Sequence, residues 1–350
     1  MRAVPLPSPA MPRVDALVTG ATGLIGAHVV EQLVAAGKSV RCMLRASSDT
    51  TALRRTAPEA ELVEADLSAA GSSSAHLADA VSGARVVLHI AGHLHVGSPL
   101  NSDETDEQYD LNVDSTRRLL AASRDAGVER FVYASSVAVY DPEAESPIAE
   151  DGPAIPRSAY GRSKLAAEQL VFEHHREGLP GTVVRPAIVY GAGDRHFLPA
   201  VRRVARLPLL TLPAGGRNVV DVAAAPDVAA VLIAAADASV AAGRVYNAAS
   251  GHPTSLRELL QALHDVEGTP MPRIVPAPAV LVRLTAPIAR RLLANAAPGM
   301  EGIVGSIATR YGRRDVFYDM GRTAQELGVR PQHTFRSGLL AARGTQPVDG

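Results

Sequence analysis

Thr19-Gly20-Ala21-Thr22-Gly23-Leu24-Ile25-Gly26 follows a short apolar, β-branched run at 14–19 and opens an amphipathic run at 24–36. Glycines three apart between a strand and a helix each have a use: the first makes a tight turn, the second lets backbone N–H groups approach a pyrophosphate, and the third permits close packing of helix on strand. Gly20, Gly23 and Gly26 fill those places. Thr22, Leu24 and Ile25 complete the loop, whose helix N-terminus would present free N–H groups and a positive dipole end to phosphates. The octapeptide therefore predicts the strand-turn-helix unit of a dinucleotide-binding α/β fold.

Outward from this unit the pattern repeats, with strands expected at 39–44, 61–64, 85–90, 130–134 and 182–185, separated by helical stretches. Near-continuous apolar runs such as Val86-Val87-Leu88 and Phe131-Val132-Tyr133 suit strands covered on both faces. The fold class read from this is a Rossmann-type doubly wound parallel sheet with a smaller C-terminal substrate lobe. Residues 1–12, with four prolines, read as a disordered extension, 13–190 as the dinucleotide-binding domain, and 191–340 mainly as the lobe. Within the lobe, about 218–250 is expected to return to the sheet through a strand at Arg244-Val245-Tyr246-Asn247. The segment 274–293 reads as a lobe helix over the substrate pocket, and Asp103, Glu104, Asp106 and Glu107 as a solvated acidic loop.

Composition narrows the function class. Hydrophobic residues make up 47% and charged residues 20%, and the formal net charge is −1. A nucleic-acid binder carries a basic bias that is missing here. One cysteine, Cys42, allows neither an intramolecular disulfide nor a thiolate metal site, which suits a reducing compartment, and the chain is read as cytoplasmic. No apolar run reaches the roughly 18 residues of a membrane span. His89, His93 and His95 lie on a strand end and loop without an acid or thiol cluster, so they read as cofactor-loop packing or substrate lining, and no metal is expected. His174-His175 reads as the solvated end of a long helix.

Two positions carry the chemistry. At the end of the second strand, where such folds read the ribose, no acid occurs between Glu31 and Asp49, and Leu44 is followed by Arg45, Ala46, Ser47 and Ser48. A guanidinium there favours a 2′-phosphate, so NADP(H) is expected over NAD(H), which stays possible. Farther on, Tyr160 and Lys164 stand four apart on a predicted helix at 158–177, so both emerge from one face. A phenol with pKa of about 10 is a poor base, and an adjacent ammonium should lower it toward working range. Tyr160 is then the proton donor or acceptor. Ser136, at the C-terminal end of a parallel strand, can hydrogen-bond the same substrate oxygen.

Taken in order, the glycine motif, Asp66-Leu67, His89-Ile90-Ala91-Gly92, Ser135-Ser136, Tyr160-Gly161-Arg162-Ser163-Lys164 and Arg185-Pro186 resemble an extended short-chain dehydrogenase/reductase of the epimerase/dehydratase superfamily. The resemblance spans Thr19 to Pro186 and continues weakly to Leu327-Gly328-Val329-Arg330-Pro331. It implies that Asp66 and Leu67 flank the adenine, that Ala91 and Gly92 line the cofactor cleft, and that Pro186 to Val189 lie near the nicotinamide. It also implies that Lys164 holds the nicotinamide ribose, that Ser136 rather than Ser135 is catalytic, and that Asn112 shapes the fourth helix and a proton-relay water, although a polar residue at a helix N-terminus reads equally well. Members pair helices corresponding to 112–126 and 158–177 across a two-fold axis, which implies a homodimer. Sugar-nucleotide members carry an asparagine after the sixth strand, where this chain has Arg185-Pro186-Ala187-Ile188-Val189. The expectation is therefore carbonyl/alcohol interconversion on a fairly apolar small molecule, as in dihydroflavonol-reductase-like and 3β-hydroxysteroid-dehydrogenase-like enzymes. The alternatives are a nucleotide-sugar epimerase or dehydratase and a non-catalytic NADP-binding redox sensor. A departure from the pattern is Val222-Ala223-Ala224-Ala225-Pro226-Asp227, where only one of two usual acids is present.

Overall fold

The protein is described from a computed structural model, which covers residues 11–67, 73–92, 106–278 and 314–344. Its centre is a seven-stranded parallel sheet. The strands are β1 (Val14–Thr19), β2 (Val40–Leu44), β3 (Glu61–Glu64), β4 (Ala84–His89), β5 (Arg130–Ala134), β6 (Gly181–Pro186) and β11 (Val245–Ala248), in the order β3-β2-β1-β4-β5-β6-β11. The chain runs outward from β1 to β3, crosses back to β4, and continues to the other edge. The crevice above the C-terminal ends of β1 and β4 is thus the topological switch point, where open α/β sheets bind ligands.

Alternate strand residues point to opposite faces and build two separate layers of core. Ala16, Val18, Val86, Leu88, Val132 and Val184 face one side, where α1 (Leu24–Ala35) and α7 (Ala225–Asp237) pack together. Leu17, Val87, Phe131, Tyr133 and Val183 face the other, under α3 (Ser74–Val81), α4 (Asp106–Asp125) and α5 (Ala159–Arg176). A short helix α2 (Thr51–Thr56) joins β2 to β3. The helices read at 112–126 and 158–177 are α4 and α5, α4 starting earlier. It takes in Asp106 and Glu107, expected in a loop. Asp103 and Glu104 lie outside the described residues. Of the extension read at 1–12, residues 1–10 also lie outside, while the carbonyl of Pro12 accepts a hydrogen bond of 2.8 Å from the buried Arg41.

After β6 the chain builds a second, smaller core. Strand β7 (Ile188–Tyr190) pairs with β10 (Val222–Ala224), β8 (Leu209–Leu212) with β13 (Arg273–Pro276), and β9 (Val219–Val220) with β12 (Thr254–Ser255). Helices α6 (Phe197–Ala205), α8 (Leu256–Glu267) and α10 (Phe335–Gly344) close over them, burying Tyr190, Phe197, Leu210, Leu260, Leu263 and Phe335 in one cluster. Ser255 and Glu258 form a capping box that starts α8. The segment expected as a helix at 274–293 begins as strand β13, in parallel register with β8, and just beyond Pro276 the Ala277 N–H still donates to the Leu212 carbonyl at 3.0 Å. Its remainder, with Val280-Leu281-Val282 and Leu292-Leu293, lies outside the described residues.

One buried polar network ties the sheet to the C-terminal segment. The Tyr140 hydroxyl donates to Asn247 Oδ1 at 2.7 Å, and Asn247 Nδ2 donates to the carbonyls of Ile148 (3.0 Å) and Asp319 (3.1 Å). Helix α9 (Gly321–Glu326) follows, and its Thr323 hydroxyl bonds the Asn247 carbonyl at 2.8 Å.

Candidate active site

The glycine turn is built by what its residues lack. Gly20 sits at φ +71°, in the left-handed region, and a Cβ on it would lie 2.7 Å from the Ala91 nitrogen. At Gly26 a Cβ would meet the Gly20 carbonyl oxygen at 2.1 Å, so the first turn of α1 presses directly on the end of β1. Gly23 is the N-cap, contributes no side-chain cap, and is followed by no acid in the first turn. Thr22 and Gly23 are exposed and Leu24 and Ile25 half-buried. Uncapped N–H groups at an exposed helix end without a competing carboxylate fit a dinucleotide's pyrophosphate.

Thr19 holds the opposite wall of this turn. Its Oγ1 accepts from the backbone N–H groups of Ile90 (3.2 Å) and Ala91 (3.1 Å) and lies 2.7 Å from His89 Nδ1. The other ring nitrogen of His89 is 3.1 Å from Thr116 Oγ1, and that hydroxyl donates to the Asn112 carbonyl at 2.8 Å. With its one proton so used, Thr116 accepts from His89 Nε2–H, and Nδ1 accepts from the Thr19 hydroxyl. His89 is therefore a buried neutral link between β1, β4 and α4; burial, helped by the charge of Lys164, pushes its pKa down to about 3. His93 and His95 lie outside the described residues. Farther along the same edge of the sheet, Arg45 is exposed in a turn after β2, its N–H donating to Ser48 Oγ at 3.1 Å. Asp66 and Leu67 follow β3 half-buried, and Leu67 accepts from Arg118 Nη1 through its carbonyl.

The polar corner lies across the switch point, where β5 ends against α5. Ser158 caps α5, its side chain accepting from the Gly161 N–H at 3.0 Å. At Gly161 a Cβ would meet the Ala138 carbonyl oxygen at 2.3 Å, so the approach of α5 to the end of β5 depends on this glycine. This brings Tyr160 and Ser136 close together, with Ser136 acting to lower the phenol's pKa. Lys164 is buried, its Nζ donating to the Ala134 carbonyl at 2.9 Å and lying 4.8 Å above the Tyr133 ring. A Cβ on Gly92 would come within 3.0 Å of that Nζ, so Lys164 lies directly beside the backbone that follows β4. Asn112 is inside α4, well past its N-terminus, and donates through Nδ2 to Ser163 Oγ at 3.1 Å, locking α4 to α5 beside Gly92. Pro186 is buried at the end of β6, and Val189 half-buried in β7.

The electrostatics of the corner correct one expectation. Lys164 is expected from the sequence to lower the Tyr160 phenol, but burial dominates and pushes it up to about 12, with nearby Ser136 pulling the other way. Burial likewise pushes Lys164 down to about 8, with Glu168 opposing. Ser135 turns inward, its hydroxyl 2.5 Å from Glu168 Oε1, so the two serines divide between interior and cleft. His174 and His175 are half-buried rather than fully solvated, because His174 Nδ1 lies 3.0 Å from the Leu170 carbonyl and His175 Nδ1 accepts from the Gly181 N–H. Among the described residues no helix is long and apolar enough to cross a membrane.

The chain is similar to known proteins over most of its length. A ketoreductase from Stigmatella aurantiaca, named for a 4-hydroxy-2-methyl-3-oxo-4-farnesyl-3,4-dihydroquinoline-1-oxide substrate, is 28% identical over 95% of this chain and 96% of its own length. A putative dihydroflavonol 4-reductase from Synechocystis is 30% identical over 93% of this chain and 92% of its own. Among solved structures, MoeE5 in complex with UDP-glucose and NAD superposes with a TM-score of 0.69 at 27% identity, covering 94% of this chain and 97% of that one. The family model described as NAD dependent epimerase/dehydratase family matches residues 16–249, a span holding the glycine turn and the Ser136, Tyr160 and Lys164 corner alike, and this chain, an enzyme of the short-chain dehydrogenase/reductase type acting on CH–OH groups, belongs to that family.

Proposed function

We propose that the protein is an NADP(H)-dependent oxidoreductase that interconverts a carbonyl and a secondary alcohol on a fairly apolar small molecule. The observation that carries this reading is the convergence of Ser136, Tyr160 and Lys164 beside Gly92, over the switch point of the sheet. When bound, the dinucleotide supplies or takes up the hydride. Gly20, Gly23 and Gly26, with Thr22, Leu24, Ile25, Ala91, Gly92, Pro186 and Val189, would hold it, and Asp66 and Leu67 would flank its adenine.

At the substrate oxygen, Ser136 donates a hydrogen bond and Tyr160 delivers a proton; in the oxidative direction the phenolate receives it. A phenol raised to about 12 holds its proton at neutral pH, the state needed for reduction. Lys164 faces both the phenol and the cleft, where a largely protonated ammonium stabilises the developing phenolate and reaches the ribose. Asn112 keeps α4 and α5 in register around this group.

Preference for NADP(H) rests on Arg45, exposed after β2 with no carboxylate between Glu31 and Asp49. An apolar substrate is favoured by Ala187, Ile188 and Val189 after β6 and by the buried Ala223, Ala224 and Ala225. The reading includes a cytoplasmic homodimer joined through α4 and α5, with 13–190 binding the dinucleotide and most of 191–340 the substrate.

The deciding experiment incubates the purified protein with NADPH or NADH and a panel of apolar ketones, beside UDP-glucose. Ketone-dependent NADPH oxidation is expected. Epimerisation of UDP-glucose without carbonyl reduction would replace this reading with the sugar-nucleotide one, and NADPH binding without turnover on any substrate would favour the redox sensor.

A further inference from the structure

We propose that Glu168 is a positioning residue for the Ser136, Tyr160 and Lys164 site, locking the end of β5 against α5 and keeping the Lys164 ammonium charged through the field of its carboxylate. Glu168 lies one turn beyond Lys164 and two beyond Tyr160, so three side chains at four-residue spacing share one face of α5. Each meets one of three consecutive residues at the end of β5. Lys164 Nζ donates to the Ala134 carbonyl, Ser135 donates to Glu168, and Tyr160 lies near Ser136. Removing the middle tie frees the serine pair from the helix that carries the acid and the ammonium.

Glu168 is 2% exposed, and its oxygens are fully engaged. Arg185 Nε donates to Oε1 at 2.9 Å and Nη2 to Oε2 at 2.6 Å, a two-pronged pair inside the protein. The guanidinium is held in turn by the Glu150 carbonyl at 3.1 Å and the face of the Tyr140 ring at 4.7 Å. A buried carboxylate this rigidly held cannot swing away from its neighbour. The groups facing Lys164 are Tyr160 and Glu168 on α5, Tyr133 on β5 and His89 on β4, with Arg185 behind Glu168 on β6. Burial works against the ammonium, His89 is neutral, and the field that favours it comes from Glu168.

The proposal rests on Lys164 serving the reaction, but its test does not need turnover. The chain has only two lysines, Lys38, which is exposed, and Lys164. Protein labelled with lysine carrying ¹³C at the ε carbon therefore gives two side-chain signals, and Lys38→Arg assigns them. In Glu168→Gln the Lys164 midpoint, near 8 in the native chain, is expected to fall by about one unit while Lys38 stays fixed. Because Glu168→Gln leaves Arg185 charged and unpaired, the paired variant Glu168→Gln with Arg185→Gln is titrated beside it. Its Lys164 midpoint should also fall, and Glu168→Asp should return it toward the native value. A Lys164 midpoint unchanged within roughly 0.3 unit in either glutamine variant overturns the proposal, whatever the activity assays give. An inactive native enzyme would instead count against the functional reading and leave this titration interpretable.

Discussion

The glycine turn and the polar corner stand on opposite sides of the same crevice and are held by opposite means. Between Thr19 and Gly26 the structure depends on atoms that are absent: two backbones meet where a methyl group would not fit. Between β5 and α5 it depends on atoms that are present, with Ser135, Glu168, Arg185 and Lys164 each satisfying another group's buried polarity. A steric cradle fails when anything is added. A polar corner fails when something is removed, since a buried group left unpaired costs about 1–3 kcal/mol.

The largest effect should come from adding one methyl group to the cradle. Gly26→Ala puts a Cβ on the Gly20 oxygen, so the backbone must move, and a loss of about 3 kcal/mol or more of unfolding free energy is expected, with loss of dinucleotide binding. Urea unfolding and cofactor fluorescence check both. Native-like stability with intact binding would break the comparison.

Subtraction from the corner is the counterpart. Tyr160→Phe keeps the ring but removes the ionisable oxygen, so single-turnover hydride transfer should fall about a hundredfold or more with little change in NADPH affinity. Reduction at a near-native rate would end the proposed role. At the cradle's outer edge, Arg45→Asp should weaken NADPH by about 1.5–3 kcal/mol while sparing or improving NADH, measured as separate dissociation constants. Equal losses for both cofactors would remove Arg45 from 2′-phosphate recognition.

His89 joins the two regions and predicts an acid limb in stability. Its folded pKa, near 3, lies below the ordinary value of about 6.5. The unfolded chain therefore binds the proton first, and the stability due to this residue is lost as pH falls from about 6.5 toward 3. The loss should reach about 2 kcal/mol by pH 5. Unfolding midpoints across this range should show a slope that His89→Asn removes; parallel slopes would deny it.

The smallest effect sharpens the steric argument. Gly37 has φ +71°, as Gly20 does, but nothing lies within 4 Å of a Cβ built on it. Gly37→Ala should cost about 1 kcal/mol from backbone strain alone and leave cofactor binding untouched.

How far each region could be read from sequence follows the same division. Sequence alone determined the glycine turn, all seven strands of the sheet to within about a residue, and the pairing of Tyr160 with Lys164, because all of these are local. Three-residue glycine spacing, period-two burial and four-residue helical spacing are set by backbone geometry over a few positions. Sequence also pointed to Ser136 from its place at the C-terminal end of a parallel strand, with likeness to a family choosing it over Ser135. The tertiary structure decided what depends on distant partners. It made 273–276 a strand by supplying β8 as a neighbour, and it placed Asn112 inside α4. It turned Ser135 inward onto Glu168, and it raised the Tyr160 phenol where the nearby ammonium alone would have lowered it. Glu168 and Arg185 are 17 residues apart, and His89 and Thr19 are 70 apart. No local pattern encodes those contacts; burial, which only the packed chain creates, gives them both their partners and their electrostatic strength.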